Sequence, residues 1–346
     1  MLRVLAAAVL AGCGFSVPGT TPGGDAGGDG SIDTPPGAPK PRKLVLDTTG
    51  LAIELDDVPV LVPIAGQIDY SRVVDPRKDL RFEESGVALS YEVESWDPLG
   101  ESLVWVRIPT IKPPPAETAI LLFVGPNVGD DNPAGVWTAY EQVTHFAGGA
   151  TDSSGHGHDG TASGVSTVSG TLGSAAAFDA NSDRVTFAGG TLDQWDQGTL
   201  EMWMKPGYAD GDALIGTQPR VLDNGGSLML GRFYSDFGTL VMQIDVKWSG
   251  AQSYVHPAVP GNTWSYLAWV YDASALRVYR NGMQVTIDAV GQHAFSNSGA
   301  LTLGDLATCA RMQVDELRVS RHGFSPEWVK LQHRSMSRML ISFTDP

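Results

Sequence analysis

From Arg42 onward the chain is a succession of short apolar runs, RKLVL, VPVLVPI, DLRF, SYEVESW, SLVWVRIP and TAILLFVG, each bounded by Gly, Pro or Asp. Runs this short, rich in Val, Ile, Leu and aromatic residues and so often interrupted, build strands and not helices. In SLVWVRIP, Leu103, Trp105 and Arg107 alternate with Val104, Val106 and Ile108, so one face is purely aliphatic and the other mixed. That is the pattern of a strand in a sheet with one dry side. No helical periodicity of useful length precedes Trp137, and 41 Gly and 22 Pro favour a turn-rich chain, so the expected class is all-β, with a β-sandwich first.

The second half has the same character. LRVYRNGMQV reads as a hairpin: Leu276, Val278 and Arg280 alternate with Arg277 and Tyr279, and Asn281-Gly282 tolerates the positive φ angles of a type I′ turn. One helix start stands out at Ser325-Pro326-Glu327, where Ser caps, Pro occupies the first helical position and Glu meets the positive end of the dipole. A final alternating run, Met339, Ile341 and Phe343, suits an added strand in either sheet.

The amino-terminal segment has a different logic. Arg3 is followed by VLAAAVLAGC at positions 4–13, too short for a bilayer span of roughly 20 residues and therefore read as a secretion signal. Leu10-Ala11-Gly12-Cys13 resembles the lipobox of bacterial lipoproteins. The resemblance implies diacylglyceryl modification of Cys13 and membrane attachment through acyl chains, and Gly14 in place of an aspartate favours the outer membrane. Positions 14–40, about half Gly and Pro, have almost nothing to bury and read as a disordered tether with a reach of roughly 30 Å.

The net charge of −16, from 39 acidic against 23 basic residues, argues against nucleic acid, whose phosphates demand a basic surface. Once Cys13 is modified, Cys309 has no intramolecular disulfide partner and reads as a small buried residue.

DLRFEESGVALSYEVESWDPLGESLVWVRIP, followed by LLFVG and VW, resembles a bacterial surface domain of unknown function that commonly precedes a LamG-like domain. HFAGGATDSSGHGHDGT, AAAFDANSDRVTF, GTLEMWMKP, NTWSYLAWVYDASALRVYRNGMQV and MQVDELRVSRHGFSPEWVKLQH occur in the order of the LamG-like, concanavalin A-like jelly roll, which they resemble over about 140–332. The expected organisation is thus a signal peptide at 1–12, a lipidated cysteine and linker at 13–41, a β-sandwich at 42–138 and a jelly roll at 139–346.

Candidate chemistry is sparse. Glu92-Val93-Glu94 places two carboxylates on one strand face, the arrangement that related glycoside hydrolases use about 5 Å apart. The third carboxylate of such enzymes is missing and the pair lies outside the jelly roll, so it reads as a solvated strand face and no catalytic residue is assigned. No nucleophile elbow, phosphate loop or His-Glu-x-x-His stretch occurs. The loop DSSGHGHDG, 152–160, is oxygen-rich and glycine-spaced, as calcium sites are. The LamG resemblance implies a structural calcium on Asp152 and Asp315, although Phe146-Ala147-Gly148-Gly149 lacks the acidic pair that relatives carry. His156 and His158 have no third zinc ligand nearby in sequence and read as polar turn residues. Among the aromatics, Trp203, Trp248 and Trp269 are the candidate platform for a sugar ring, with Trp264, Tyr266 and Tyr271 beside them, although the alternation in WSYLAWVYD buries at least one side.

The function that follows is display. The chain is expected to be a lipid-anchored, non-catalytic protein of the cell envelope that binds a polysaccharide or a surface protein through its jelly roll. A purely structural envelope or adhesion component, and less readily a polysaccharide-degrading enzyme, are the alternatives.

Overall fold

The computed structural model describes residues 40–189, 196–209, 219–224, 229–236, 239–248, 251–255, 257–272, 274–289, 299–305 and 308–345. Cys13 and the linker up to position 39 lie outside them. Among the described residues no helix is long and apolar enough to cross a membrane.

The fold is all-β. In the first sandwich, Ser102–Ile111 lies between Leu55–Ile64 and Tyr91–Ser95, with Val60 opposite Val106 and Glu92 opposite Trp105. The facing sheet runs in the order Ile341–Thr344, Arg42–Leu46, Ala119–Val124, Leu80–Glu84, Val87–Leu89. Its outer strand comes from the far end of the chain, pairing Leu46 with Ile341 and Lys43 with Thr344. The alternating run at 339–343 therefore extends the first module, not the jelly roll around which it was counted.

The jelly roll packs two sheets. One runs Ser166–Ser169, Ser174–Phe178, Met312–Ser320, Gly198–Pro206, Ser265–Tyr271, Ala275–Arg280, Met283–Ala289, with Gln142–Thr144 also paired to Met312–Ser320. The other runs Ala251–Val255, Thr239–Trp248, Met229–Asp236, Arg220–Asp223, Leu301–Gly304, Arg184–Phe187, Gly160–Ser163. Arg280 pairs with Met283 around Asn281 (φ 52°) and Gly282 (φ 76°), the expected two-residue turn.

Side-chain alternation explains how the modules join. In Ser265–Tyr271, Leu267, Trp269 and Tyr271 enter the core between the jelly-roll sheets, while Tyr266, Ala268 and Val270 enter a second core. That second core also contains Leu44, Val60, Trp105, Trp137, Trp203 and Trp328, so it runs from the first strand of the sandwich to the outer face of the jelly-roll sheet. Leu103, Val104, Trp105 and Val106 are all at most 2% exposed. The expectation of a single dry side on that strand is corrected, because the jelly roll covers its mixed face.

The helix Pro326–Met336 fills the remaining angle. Ser325 caps it by accepting from the Trp328 amide at 3.1 Å. Leu55–Ile64 is an edge strand carrying Pro59 and Pro63, and its free groups meet the helix: the Leu61 amide donates to Ser335 Oγ (2.7 Å), and Gln332 Nε2 donates to Pro59 O (2.9 Å). An open edge is thereby covered and its polar groups are satisfied.

Candidate functional site

Two features meet where sandwich, jelly roll and helix converge: a sealed cluster of ionisable groups and an open cleft. The cluster begins in the last jelly-roll strand. In Val314-Asp315-Glu316-Leu317-Arg318-Val319 the core residues are Val314, Leu317 and Val319, a spacing of three and then two. The extra residue is Glu316, whose φ of 56° lies in the left-handed region, as in a bulge. Asp315, Glu316 and Arg318 are consequently all buried.

His145, just past Gln142–Thr144, lies 2.6 Å from Glu316 Oε1 through Nδ1 and 3.3 Å from Glu92 Oε2 through Nε2. Glu92 also accepts from Trp137 Nε1 (2.5 Å) and Ser153 Oγ (2.7 Å). Glu94 Oε2 accepts from Trp105 Nε1 (2.5 Å) and stands 3.9 Å from His145 Nδ1. Arg318 donates to Glu316 and to Gln332 Oε1 (2.9 Å), with its guanidinium 4.3 Å and 4.8 Å from the ring centroids of Trp105 and Trp137. Asp315 Oδ2 accepts from the amides of Thr171 and Leu172, both at 2.8 Å.

Electrostatics sort these groups. Burial, reinforced by Glu316, pushes Glu94 and Asp315 well above the usual carboxylate range. Burial alone would also raise Glu92 and Glu316, but His145 in both cases, joined by Arg318 at Glu316, outweighs it and holds them low. Burial alone would lower His145, yet Glu316 and Glu92 raise it well above its ordinary value. Glu201, wholly buried beside Tyr140, is pushed up to about 7 by burial against the pull of Arg318.

The cleft, about 400 Å³, is bounded by Asp56 and Asp57 of the sandwich, Thr138 and Ala139 of the connection, and His322 to Ser325 with Trp328 of the jelly roll. Phe324 and Trp328, which line it, stack on each other at 4.2 Å between centroids and are only 8% and 5% exposed. Asp57, at φ 54°, receives Arg107 Nη1 at 2.7 Å, and Asp56 receives Thr110 Oγ1 at 3.0 Å.

The residues singled out from sequence fall as follows. Glu92 is 7% exposed and the Glu94 side chain 1%, so the reading of a solvated strand face is corrected: the jelly roll seals that face. Trp203 (6% exposed) and Trp269 (1%) are core residues and cannot stack on a sugar; Trp203 Nε1 instead points at Met336 Sδ, 3.2 Å away. The side chain of Trp248 lies outside the described residues. Both oxygens of Asp152 are engaged, by the amides of Val143, Ser154 and His158 and by Ser154 Oγ, which fixes the loop as a turn. Asp315 is instead bonded to the amides of Thr171 and Leu172 and feels the charges of Glu316 and His145. His156 is exposed, and Cys309 is 2% exposed with its thiol pushed up to about 11 by burial. His145, Glu316 and Arg318 were not anticipated; the broken apolar spacing of 314–319 was the available signal.

A family model described as the Concanavalin A-like lectin/glucanases superfamily matches residues 179–330, and one described as Domain of unknown function (DUF2341) matches residues 77–154. The chain carries a DUF2341 domain followed by a concanavalin A-like domain. No curated protein matches it. Among solved structures it is similar to Domain 4 of AbnA, a GH43 extracellular arabinanase from Geobacillus stearothermophilus in complex with arabinotriose, at 17% identity and TM-score 0.44, covering 55% of this chain and 96% of that one. The binding domain of Paraclostridial Mosquitocidal Protein 1 is similar at 13% identity and TM-score 0.48, covering 57% and 52%. The receptor binding domain of botulinum neurotoxin D is similar at 8% identity and TM-score 0.49, again covering 57% and 52%. The chain thus spans about half the length of those two structures.

Proposed function

We propose that this is a non-catalytic, lipid-anchored binding protein of the bacterial cell envelope, which holds a neutral saccharide in the cleft between its two modules. The observation that carries the reading is the cleft itself. It sets the hydroxyls of Thr138 and Ser325, the imidazole of His322 and the carboxylates of Asp56 and Asp57 around one opening, the groups that hydrogen-bond the hydroxyls of a sugar. Exposed Asp56 and Asp57 on the rim, on a chain of net charge −16, disfavour anionic glycans. The concanavalin A-like domain class supports a binding role. A non-catalytic role is supported by the sealing of Glu92 and Glu94, out of reach of any polysaccharide. The lipobox-like Leu10-Ala11-Gly12-Cys13 and the Gly/Pro-rich tract support display at a membrane, with the outer membrane favoured.

The test is a neutral and acidic glycan array on the full chain, followed by titration of the Thr138→Trp variant, whose indole would fill the cleft. Binding of neutral glycans, weakened at least about tenfold by Thr138→Trp, is expected. Binding of no glycan, or binding that Thr138→Trp leaves unchanged, refutes the cleft and favours the structural envelope role.

A further inference from the structure

We propose that Glu94, His145 and Glu316 bind a divalent transition-metal ion of the zinc type, which ties the first sandwich to the jelly roll. One ligand atom from each of the three lies within 4.8 Å of the others. Two ligands each about 2.1 Å from a tetrahedral zinc are about 3.4 Å apart. The two distances at His145 Nδ1, 2.6 Å to Glu316 Oε1 and 3.9 Å to Glu94 Oε2, bracket that value, so both contacts at His145 reach it with shifts of under about 1 Å.

A second observation is independent of this proximity. Glu94 Oε1 and Asp315 Oδ1 are sealed from solvent and have no hydrogen-bond partner among the described residues. A buried carboxylate oxygen without a donor is costly and uncommon. Within the cluster five carboxylates, Glu92, Glu94, Glu201, Asp315 and Glu316, surround the permanent cation Arg318 and the imidazole of His145, which becomes a neutral ligand once it gives up its Nδ1 proton. A divalent ion in place of that proton balances the carboxylates and sits at Glu94 Oε2, beside the unpartnered Oε1 of the same carboxylate, while Asp315 gains a positive charge in its vicinity.

The surroundings are already arranged for a metal. With Glu92, held by Trp137 and Ser153, accepting from the Nε2–H of His145, release of the proton between Nδ1 and Glu316 to solvent on metal binding leaves the Nδ1 lone pair for the ion. This is the carboxylate–histidine arrangement that orients metal-bound imidazoles. Trp105 fixes Glu94, Arg318 fixes the outer oxygen of Glu316, and the left-handed backbone at Glu316 aims the side chain at His145. An imidazole with carboxylates suits zinc, whereas calcium takes oxygen ligands alone. The donor set is therefore distinct from the oxygen-rich loop at 152–160, and the inference does not depend on what occupies the cleft.

The test uses the full chain, denatured in chelator and refolded with or without metal, since the ligands are too buried for easy entry. One zinc per chain is expected by elemental analysis after gel filtration, with a rise in melting temperature that zinc produces and calcium does not. Cobalt(II) should give the visible absorption of a tetrahedral nitrogen–oxygen site. Glu94→Gln and His145→Asn should each weaken zinc by at least about 100-fold, and Glu92→Gln, a positioning change, by about 10- to 100-fold. The pair His156→Ala and His158→Ala should leave zinc binding intact. If ligand variants misfold, the cobalt spectrum and stoichiometry of the wild type still decide. Refolded wild type with native circular dichroism but no bound zinc, or equal stabilisation by calcium, overturns the proposal and leaves protons as the occupants of the cluster.

Discussion

Arg318→Met is the sharpest test of what holds the two modules together. The wild-type side chain is wholly buried, bonded to Glu316 and Gln332 and stacked over Trp105 and Trp137. Methionine keeps most of the volume and removes the charge, so Glu316 is left with His145 alone. Breaking a buried ion pair from one side costs about 3–5 kcal/mol. Loss of the cation–π contact adds about 1–2 kcal/mol, part of which sulfur–aromatic contact returns. A net loss near 4 kcal/mol is expected, a large share of the roughly 5–15 kcal/mol that holds most folded proteins together. Over about 300 folded residues, at roughly 2.1 cal/mol/K per residue, this corresponds to a fall in Tm of about 6 °C. The measurement is urea denaturation of the full chain at pH 7 in chelator, followed by tryptophan fluorescence and far-ultraviolet circular dichroism. Adding Glu316→Gln to Arg318→Met removes the stranded charge and should recover at least half of the loss. A cost under about 1 kcal/mol, or a double variant worse than the single, would refute the claim that this ion network fixes the seam.

Glu201 gives a pH signature. Its folded value, pushed up to about 7, exceeds its unfolded one, so its contribution to stability is fully present below about pH 4.5 and is lost as pH rises through 7. Glu201→Gln should therefore flatten the melting-temperature profile between pH 5 and 8 and gain up to roughly 3 kcal/mol at the alkaline end, and an unchanged profile would count against it. Trp203→Ala should cost about 3–5 kcal/mol in chemical denaturation without altering glycan affinity, because the indole is core and not platform. Cys309 should resist thiol reagents at pH 8 in the native protein and react once denatured; rapid native labelling would contradict its burial. Cys13→Ser should move the protein from the membrane fraction to the soluble envelope fraction, and persistence in the membrane would remove the lipid anchor.

Much of the architecture was legible because alternation and turn chemistry are local. The type I′ turn at Asn281-Gly282, the cap at Ser325 and the strand character of Ser102–Ile111 all depend on residues within a few positions of one another. Burial was less legible. SYLAWVY and SLVWVR alternate as half-exposed strands do, yet both are covered on two faces, since a period of two identifies which side chains share a face but not what lies against it. The same gap hid the cluster: Glu92-Val93-Glu94 has the same local pattern whether it meets water or another module.

The residues alone determined the class of fold, the order of the two domains and the position of their turns, because backbone conformation is set by near neighbours. The pairing of Arg42–Leu46 with Ile341–Thr344, the cleft, and the meeting of Glu94 with His145 and Glu316 were decided by the tertiary structure. Each joins segments tens to hundreds of positions apart, and the burial that perturbs their charges exists only once the sandwich and the jelly roll exclude water between them.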